Sequence, residues 1–265
     1  MAVLTCDFLS KSLGRMVSFR AVLPTANFGD IINPNSAPYA NLKPFKTLYL
    51  LHGIGGNELD WLVGSRVAHY AEERGLAVIM PAGENGFYTD NNSTNRYSEF
   101  IGKELVEATR AMFNLSHKRE DAYIGGLSMG GYGALRNGLK YSETFSKIIA
   151  LSSALVVDDA AKSTDESFWP FGKRDYFERV FGELDKLDGS EFDVYALAKN
   201  NKQNTSIYLS CGTEDTLLEK NRVYKAFLET IGVNLTYVED SGGHDWGFWD
   251  TYIEKGIAWI YGESE

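Results

Sequence analysis

Ser128 lies in Gly126–Leu127–Ser128–Met129–Gly130–Gly131, a stretch that contains the pattern G-x-S-x-G. A serine flanked by glycines can occupy a tight strand-to-helix turn, because side chains at the glycine positions would collide with the neighbouring strand and helix. Such a turn lifts Oγ above a sheet and sets it at a helix N-terminus, where backbone N–H groups and the helix dipole favour developing negative charge. The chemistry this permits is attack on a carbonyl through a covalent acyl intermediate. A serine hydroxyl is a weak nucleophile near neutral pH and needs a base. Of the four histidines, His52, His69, His117 and His244, only His244 follows Ser128 in the chain. That matters because the order on this type of turn is serine, acid, histidine.

His244 sits in Asp240–Ser241–Gly242–Gly243–His244–Asp245–Trp246, just past the last apolar run. The acid is expected at the end of the run before it, in Ser210–Cys211–Gly212–Thr213–Glu214–Asp215. Both Glu214 and Asp215 qualify by type. Asp215 is preferred because Thr216–Leu217–Leu218 can shield it, and a shielded carboxylate holds the imidazole tautomer and stabilises the imidazolium. Asp240 and Asp245 are too near His244 in sequence to partner it and read as solvated loop charges.

A tetrahedral oxyanion needs two N–H donors. One is expected from the backbone of Met129. The other is expected from Ile54, with Gly53 as the alternative, in His52–Gly53–Ile54–Gly55–Gly56–Asn57, a variant of the HGGG-type loop. His52 reads as the residue that holds this loop. Among Trp61, Phe87, Tyr88, Trp246, Phe248 and Trp249, core packing is the default. Trp61 and Trp246, beside the catalytic loops, are the candidates to wall an acyl pocket. Asp90–Asn91–Asn92 reads as a polar loop that could border the entrance.

These residues need elements to position them. Short apolar runs at Thr47–Leu51, Ala77–Met80, Ala122–Ile124, Lys147–Leu151, Ser206–Leu209 and Asn234–Val238 read as strands buried on both faces. Ala2–Leu9 and Arg15–Leu23 read as an antiparallel hairpin. Leu59–Arg74, Tyr97–Phe113, Gly130–Lys140, Leu218–Ile231 and Trp249–Tyr261 have helical length. In the second of these, Phe100, Ile101, Leu105, Ala108 and Met112 recur at helical spacing. Asn27–Pro44, with three prolines, reads as loop. The alternation predicts an α/β fold with a mainly parallel, doubly wound sheet. Residues 1–265 are expected to form one domain, interrupted by an inserted helical segment at about 156–202 that leans over the carboxyl ends of the strands.

The 265 residues are 44% hydrophobic and 23% charged, the composition of a globular chain. The net charge of −10 gives no attraction for a polyanion, so nucleic acid is not an expected partner. No apolar run approaches the roughly 18 residues that span a bilayer, and the N-terminus lacks a signal-peptide pattern. A cytoplasmic protein with no membrane partner is expected. Cys6 and Cys211 are far apart and show no metal-ligand spacing, so two reduced thiols and no metal are expected.

The blocks Leu51–Asn57 with Asp60–Trp61–Leu62, Asn85–Asp90, Ile124–Ala134, Cys211–Asp215 and Gly243–Trp246 resemble bacterial tributyrin esterases of the esterase D-like family of α/β-hydrolases. They span most of the chain in the right order. The resemblance implies a cofactor-free serine esterase for small-molecule esters with short acyl chains, including acetylated or feruloylated carbohydrates in some members, and commonly a homo-oligomer. S-formylglutathione hydrolases and acyl transferases belong to the same family. The thioesterases of this group usually carry histidine where this chain has Leu127. Alternatives to an esterase are therefore a transferase or thioesterase on the same three residues, or a catalytically silent fold used for binding.

Overall fold

The computed structural model describes residues 1–40, 42–91 and 93–263. The strands are β1 (Ala2–Ser10), β2 (Arg15–Leu23), β3 (Lys46–Leu51), β4 (Leu76–Pro81), β5 (Ala122–Leu127), β6 (Lys147–Leu151), β7 (Ser206–Gly212) and β8 (Leu235–Asp240). They form one sheet in the order β1-β2-β4-β3-β5-β6-β7-β8. The hairpin β1–β2 joins β4 antiparallel, and every later pairing is parallel. This is the α/β-hydrolase fold with its N-terminal antiparallel hairpin.

The pleat explains the apolar runs. Along β3, Tyr49 and Leu51 pack on one face of the sheet, while Leu48 and Leu50 pack on the other. Each face is covered by helices, so the run must be apolar throughout. β4 and β5 lie on opposite sides of β3. The loops after β3 and β5 therefore diverge at a switch point, where open α/β sheets leave a crevice at the carboxyl ends.

The helices are α1 (Phe28–Ile32), α2 (Asp60–Gly64), α3 (Val67–Arg74), α4 (Tyr97–Glu99), α5 (Leu105–Met112), α6 (Met129–Lys140), α7 (Val157–Lys162), α8 (Arg174–Phe181), α9 (Val194–Lys199), α10 (Leu218–Thr230) and α11 (Trp246–Ile260). Among the described residues, no helix is long and apolar enough to cross a membrane. Cys6 and Cys211 are free thiols.

Four sequence expectations differ. Leu59–Arg74 is not one helix: Ser65 is extended (φ −140°, ψ 172°) and separates α2 from α3. The break lets the Trp246 ring lie on Gly64, where an added Cβ would sit 2.2 Å from it. Within Tyr97–Phe113, residues Phe100–Glu104 form a π-helical segment. That wider turn rotates the remainder of the helix, so Leu105, Val106 and Thr109 face the core and Met112 is exposed. The loop Asn27–Pro44 contains α1, opened by a capping box between Asn27 and Asp30. Helix α11 begins at Trp246 rather than Trp249, because Asp245 caps it by accepting from the N–H groups of Gly247 and Phe248. Asp245 is thus a cap and not merely a solvated charge.

The segment 156–202 carries α7, α8, α9 and two short 3₁₀ turns. It is fastened to the body by hydrogen bonds from Thr89 Oγ1 to Val180 O (2.9 Å) and from Tyr176 OH to Asn85 O (2.7 Å). Buried Arg136 adds an ion pair with Glu191. Phe181 packs against both Phe87 and Tyr132.

Candidate active site

β5 ends at Leu127, and Ser128 follows with φ 54° and ψ −118°. A residue with a Cβ adopts that region at a cost of about 1–3 kcal/mol, so the surroundings must impose it. They do so through three bonds. Ser128 N–H donates to Leu151 O (2.9 Å), and Ser128 O accepts from the N–H groups of Tyr132 (3.1 Å) and Ala154 (3.0 Å). The turn closes because two positions lack side chains. A Cβ on Gly126 would lie 2.3 Å from Gly130 O, and one on Gly130 would lie 2.4 Å from Leu51 O.

Ser128 Oγ is 3.0 Å from His244 Nε2, and His244 Nδ1 is 2.9 Å from Asp215 Oδ2. Three side chains remote in sequence are thus joined end to end. His69, by contrast, pairs with Glu73 on the exposed side of α3. The Asp215 carboxylate is fully buried, while the His244 side chain is 33% exposed. Burial by itself would raise the Asp215 pKa. The bonds from His244 and from Leu217 N–H (2.8 Å), with the Ser152 hydroxyl close by, outweigh it, and the carboxyl lies below its ordinary range.

Backbone contacts stitch the loops that carry Asp215 and His244. Thr213 N–H donates to Asp240 O (2.8 Å) and Glu214 N–H to Gly242 O (3.0 Å). A Cβ on Gly212 would lie 2.0 Å from Gly242 O, so this approach requires glycine. Glu214, the other candidate acid, accepts from Gly242 N–H and from Thr213 Oγ1. It therefore clamps the His244 loop instead of meeting the imidazole.

Two residues at this site carry no functional mark in the sequence. Trp249 lies edge-on to the His244 ring at 4.9 Å, and its indole N–H donates to Ser152 Oγ (3.1 Å). Ser152, held at φ 47°, lies beside the Asp215 carboxylate and helps to hold its pKa down. One indole thus meets both the His244 ring and the hydroxyl of Ser152. Ser152 comes directly after an ordinary apolar strand, and nothing in the local sequence singles it out. Cys211, also against Asp215, has its thiol pushed up to about 12, mainly by burial, so it stays protonated and inert.

Ser128 and His244 open into a cavity of ≈ 650 Å³. Gly53 and Ile54 border one corner of it, and Phe87, Phe177, Trp246 and Trp249 supply aromatic wall. Met129 is the first residue of α6, where N–H groups have no partner within the helix. Trp61 requires a correction. It is 1% exposed, donates to Leu51 O (3.0 Å) and stands edge-on behind Trp246 at 5.3 Å, so it supports the wall without lining the cavity. Asp90 and Asn91 do not border the cavity either. Asp90 caps α4 by accepting from Ser98 N–H (2.8 Å), Asn91 bonds Arg179 O, and Asn92 lies outside the described residues.

His52 holds the loop after β3, as its sequence context suggests. Nε2 accepts from Gly83 N–H (2.8 Å), which leaves the proton on Nδ1 to donate to Gly53 O (2.7 Å). Burial is the largest influence and lowers its pKa despite the Gly53 bond and the nearby Asp60 and Glu58 charges. The folded state therefore prefers neutral His52, and the unfolded chain takes up its proton first as pH falls below about 6.5. Stability from this group is complete above that pH and declines below it. Urea midpoints should accordingly fall more between pH 7.5 and 5.5 for the wild type than for His52→Asn; equal slopes would contradict the neutral tautomer.

Comparison with known proteins places this geometry in a family. The Esterase family model matches residues 27–260. An acetyl esterase of Caldicellulosiruptor saccharolyticus is 42% identical over 265 residues, covering 98% of each chain. The substrate-bound structure of fluorophosphonate-binding serine hydrolase F of Staphylococcus aureus is similar at a TM-score of 0.84 and 28% identity, covering 98% of both chains. The S-formylglutathione hydrolase of the same organism gives 0.82 and 29%, again covering 98% of both. A family match over nearly the whole chain, carried on this sheet, makes the chain a member of the Esterase family of α/β-hydrolases: it is a serine hydrolase of carboxylic esters.

Proposed function

We propose that Ser128, His244 and Asp215 are the catalytic triad of a serine carboxylesterase that hydrolyses short-chain acyl esters. The observation that carries this reading is the unbroken path from Ser128 Oγ through His244 to buried Asp215, at 3.0 and 2.9 Å, at the floor of a cavity. His244 Nε2 takes the hydroxyl proton as Oγ bonds to the ester carbonyl. Asp215 fixes the proton on Nδ1 and stabilises the imidazolium. The oxyanion is received by the N–H groups of Ile54 and Met129, each worth about 3 kcal/mol in the transition state. His244 then gives its proton to the leaving alcohol, and a water activated by the same imidazole releases the acid.

The acetyl esterase relative supports a short acyl group. Trp246, on the cavity wall, is proposed to contact substrate. Acetylated or feruloylated carbohydrates are the proposed natural esters. We take residues 1–265 to act as one domain with 156–202 as its pocket wall. Self-association is proposed as well, and the exposed Phe28, Ile31 and Ile32 of α1 offer an apolar surface for it. The S-formylglutathione hydrolase neighbour favours a thioester as the second reading. Leu127 before the nucleophile supports the ester.

A fluorophosphonate probe tests the proposal. It should label the wild type on the peptide that contains Ser128, detected by mass spectrometry, and abolish turnover of p-nitrophenyl acetate in step with labelling. Labelling at another serine, or full activity after complete labelling of Ser128, would overturn it.

A further inference from the structure

A second cavity, of ≈ 830 Å³, lies beside the catalytic one. The segment after β6 separates them. Ala154 and Val156 face the catalytic cavity, whereas Leu155 and Val157 face the second. Two residues line both cavities, Asp159 of α7 and Lys220 of α10. Their side chains form an ion pair across the boundary. One partner belongs to the inserted segment and the other to the body of the sheet domain, so the partition is closed by a contact between two elements.

The two sides differ in what they offer. The catalytic side holds Ser128 and His244. The far side offers Leu155, Val157, Leu184, Leu187, Val223 and Phe227, together with charged residues of both signs. Neither member of the pair is fully buried: the side chains are 35% and 51% exposed. An ion pair with this much exposure is worth little, roughly 0–1 kcal/mol. It can close a passage without being needed to hold the fold.

We propose that the Asp159–Lys220 ion pair is the partition that limits substrate length, and that the second cavity is a latent subsite for an apolar chain of either arm of the ester. With the pair intact, a chain leaving the catalytic cavity in this direction meets two paired charges. With it broken, the chain runs on into the second cavity. The inference rests on the assignment of the catalytic serine above.

The test is a length series. Specificity constants would be measured for p-nitrophenyl acetate, butyrate and octanoate, and for ethyl and octyl acetate. Wild type, Asp159→Ala, Lys220→Ala and the exchange variant Asp159→Lys/Lys220→Asp would be compared. The wild type should favour the short member of each series. Each single variant should raise the long-to-short ratio by at least about tenfold in one series, the scale of a few buried methylenes. Octanoate rising identifies the acyl arm, and octyl acetate the alcohol arm. The exchange variant should return the ratio to within about threefold of wild type, since it rebuilds the pair with its charges reversed. Ratios that stay flat in both series, in variants with wild-type circular dichroism and melting, overturn the proposal. So does an exchange variant that keeps the single-variant profile, or a wild type that takes octanoate as readily as acetate. If one single variant fails to fold, the other still reads the partition. Absence of any acetate turnover in the wild type would instead strike the underlying esterase reading.

Discussion

Ser128→Ala should lower kcat for p-nitrophenyl acetate by about a million-fold, the scale seen when the nucleophile of a triad is removed alone. The structure makes this a clean test. The substitution deletes Oγ and leaves Cβ, so the backbone at φ 54° meets no new atom. The bonds that impose that conformation all use main-chain atoms: Ser128 N–H to Leu151 O, and Ser128 O from Tyr132 and Ala154. The hydroxyl itself meets His244 Nε2. Melting should therefore stay within a few degrees of wild type, where roughly 1 kcal/mol corresponds to about 2–4 °C for a chain of this size. Substrate binding should persist, because the cavity walls are untouched. A variant that melts like wild type yet keeps more than a hundredth of the activity would show that another group attacks the carbonyl.

The parts of the site that were legible in the sequence are those fixed by chain order and local sterics. Gly126 and Gly130 flank Ser128 because the turn brings them within 2.3 and 2.4 Å of main-chain oxygens if a Cβ is added. That requirement is local, so a short pattern captures it. His244 and Asp215 follow from the parallel topology, which delivers the ends of β7 and β8 to the same rim as β5. The run Thr47–Leu51 announces a central strand because both faces of the sheet are covered.

The features that could not be read depend on contacts between distant segments. Trp61 and Trp246 are equivalent by type, and each lies close in sequence to one of the candidate loops. Which of them faces the cavity is decided by the break at Ser65, which lets the Trp246 ring settle on Gly64 and encloses Trp61 behind it. The π-helical turn at Phe100–Glu104 adds no signature to composition, yet it exchanges Ala108 and Met112 for Val106 and Thr109 on the buried face. Ser152 and Trp249 lie beside Asp215 and His244 from the turn after β6 and from α11, segments whose meeting is a property of the assembled sheet. The choice between Glu214 and Asp215, open by residue type, turns on which side chain the tight turn aims inward.

That choice sets the second large effect. Asp215→Asn should reduce kcat by about 10,000-fold, through the wrong imidazole tautomer. Asp215 receives hydrogen bonds from His244 Nδ1 and from Leu217 N–H. A carboxylate accepts from both of them; an amide cannot. If the new carbonyl oxygen faces Leu217 N–H, the NH₂ group faces Nδ1, and the imidazole proton moves to Nε2. That proton then points at Ser128 Oγ, where the base should be accepting one. If the amide flips, two N–H groups confront each other at Leu217. Acid does not reproduce the substitution until well below the working range, because the net effect of burial and hydrogen bonds holds the carboxyl under its ordinary value. By the same sign, the stability this carboxylate contributes is complete above about pH 4 and is lost only as pH falls through its depressed folded value. Glu214→Gln is the contrast. Its side chain accepts from Gly242 N–H of the His244 loop and from Thr213 Oγ1 beside it, and an amide oxygen can still accept one of these. Its cost should be less than about tenfold, as for the loss of one exposed charge-assisted bond. Kinetics of the two variants with p-nitrophenyl acetate, each checked by melting, decide the matter: a larger loss for Glu214→Gln than for Asp215→Asn would transfer the acid's role to the neighbouring residue.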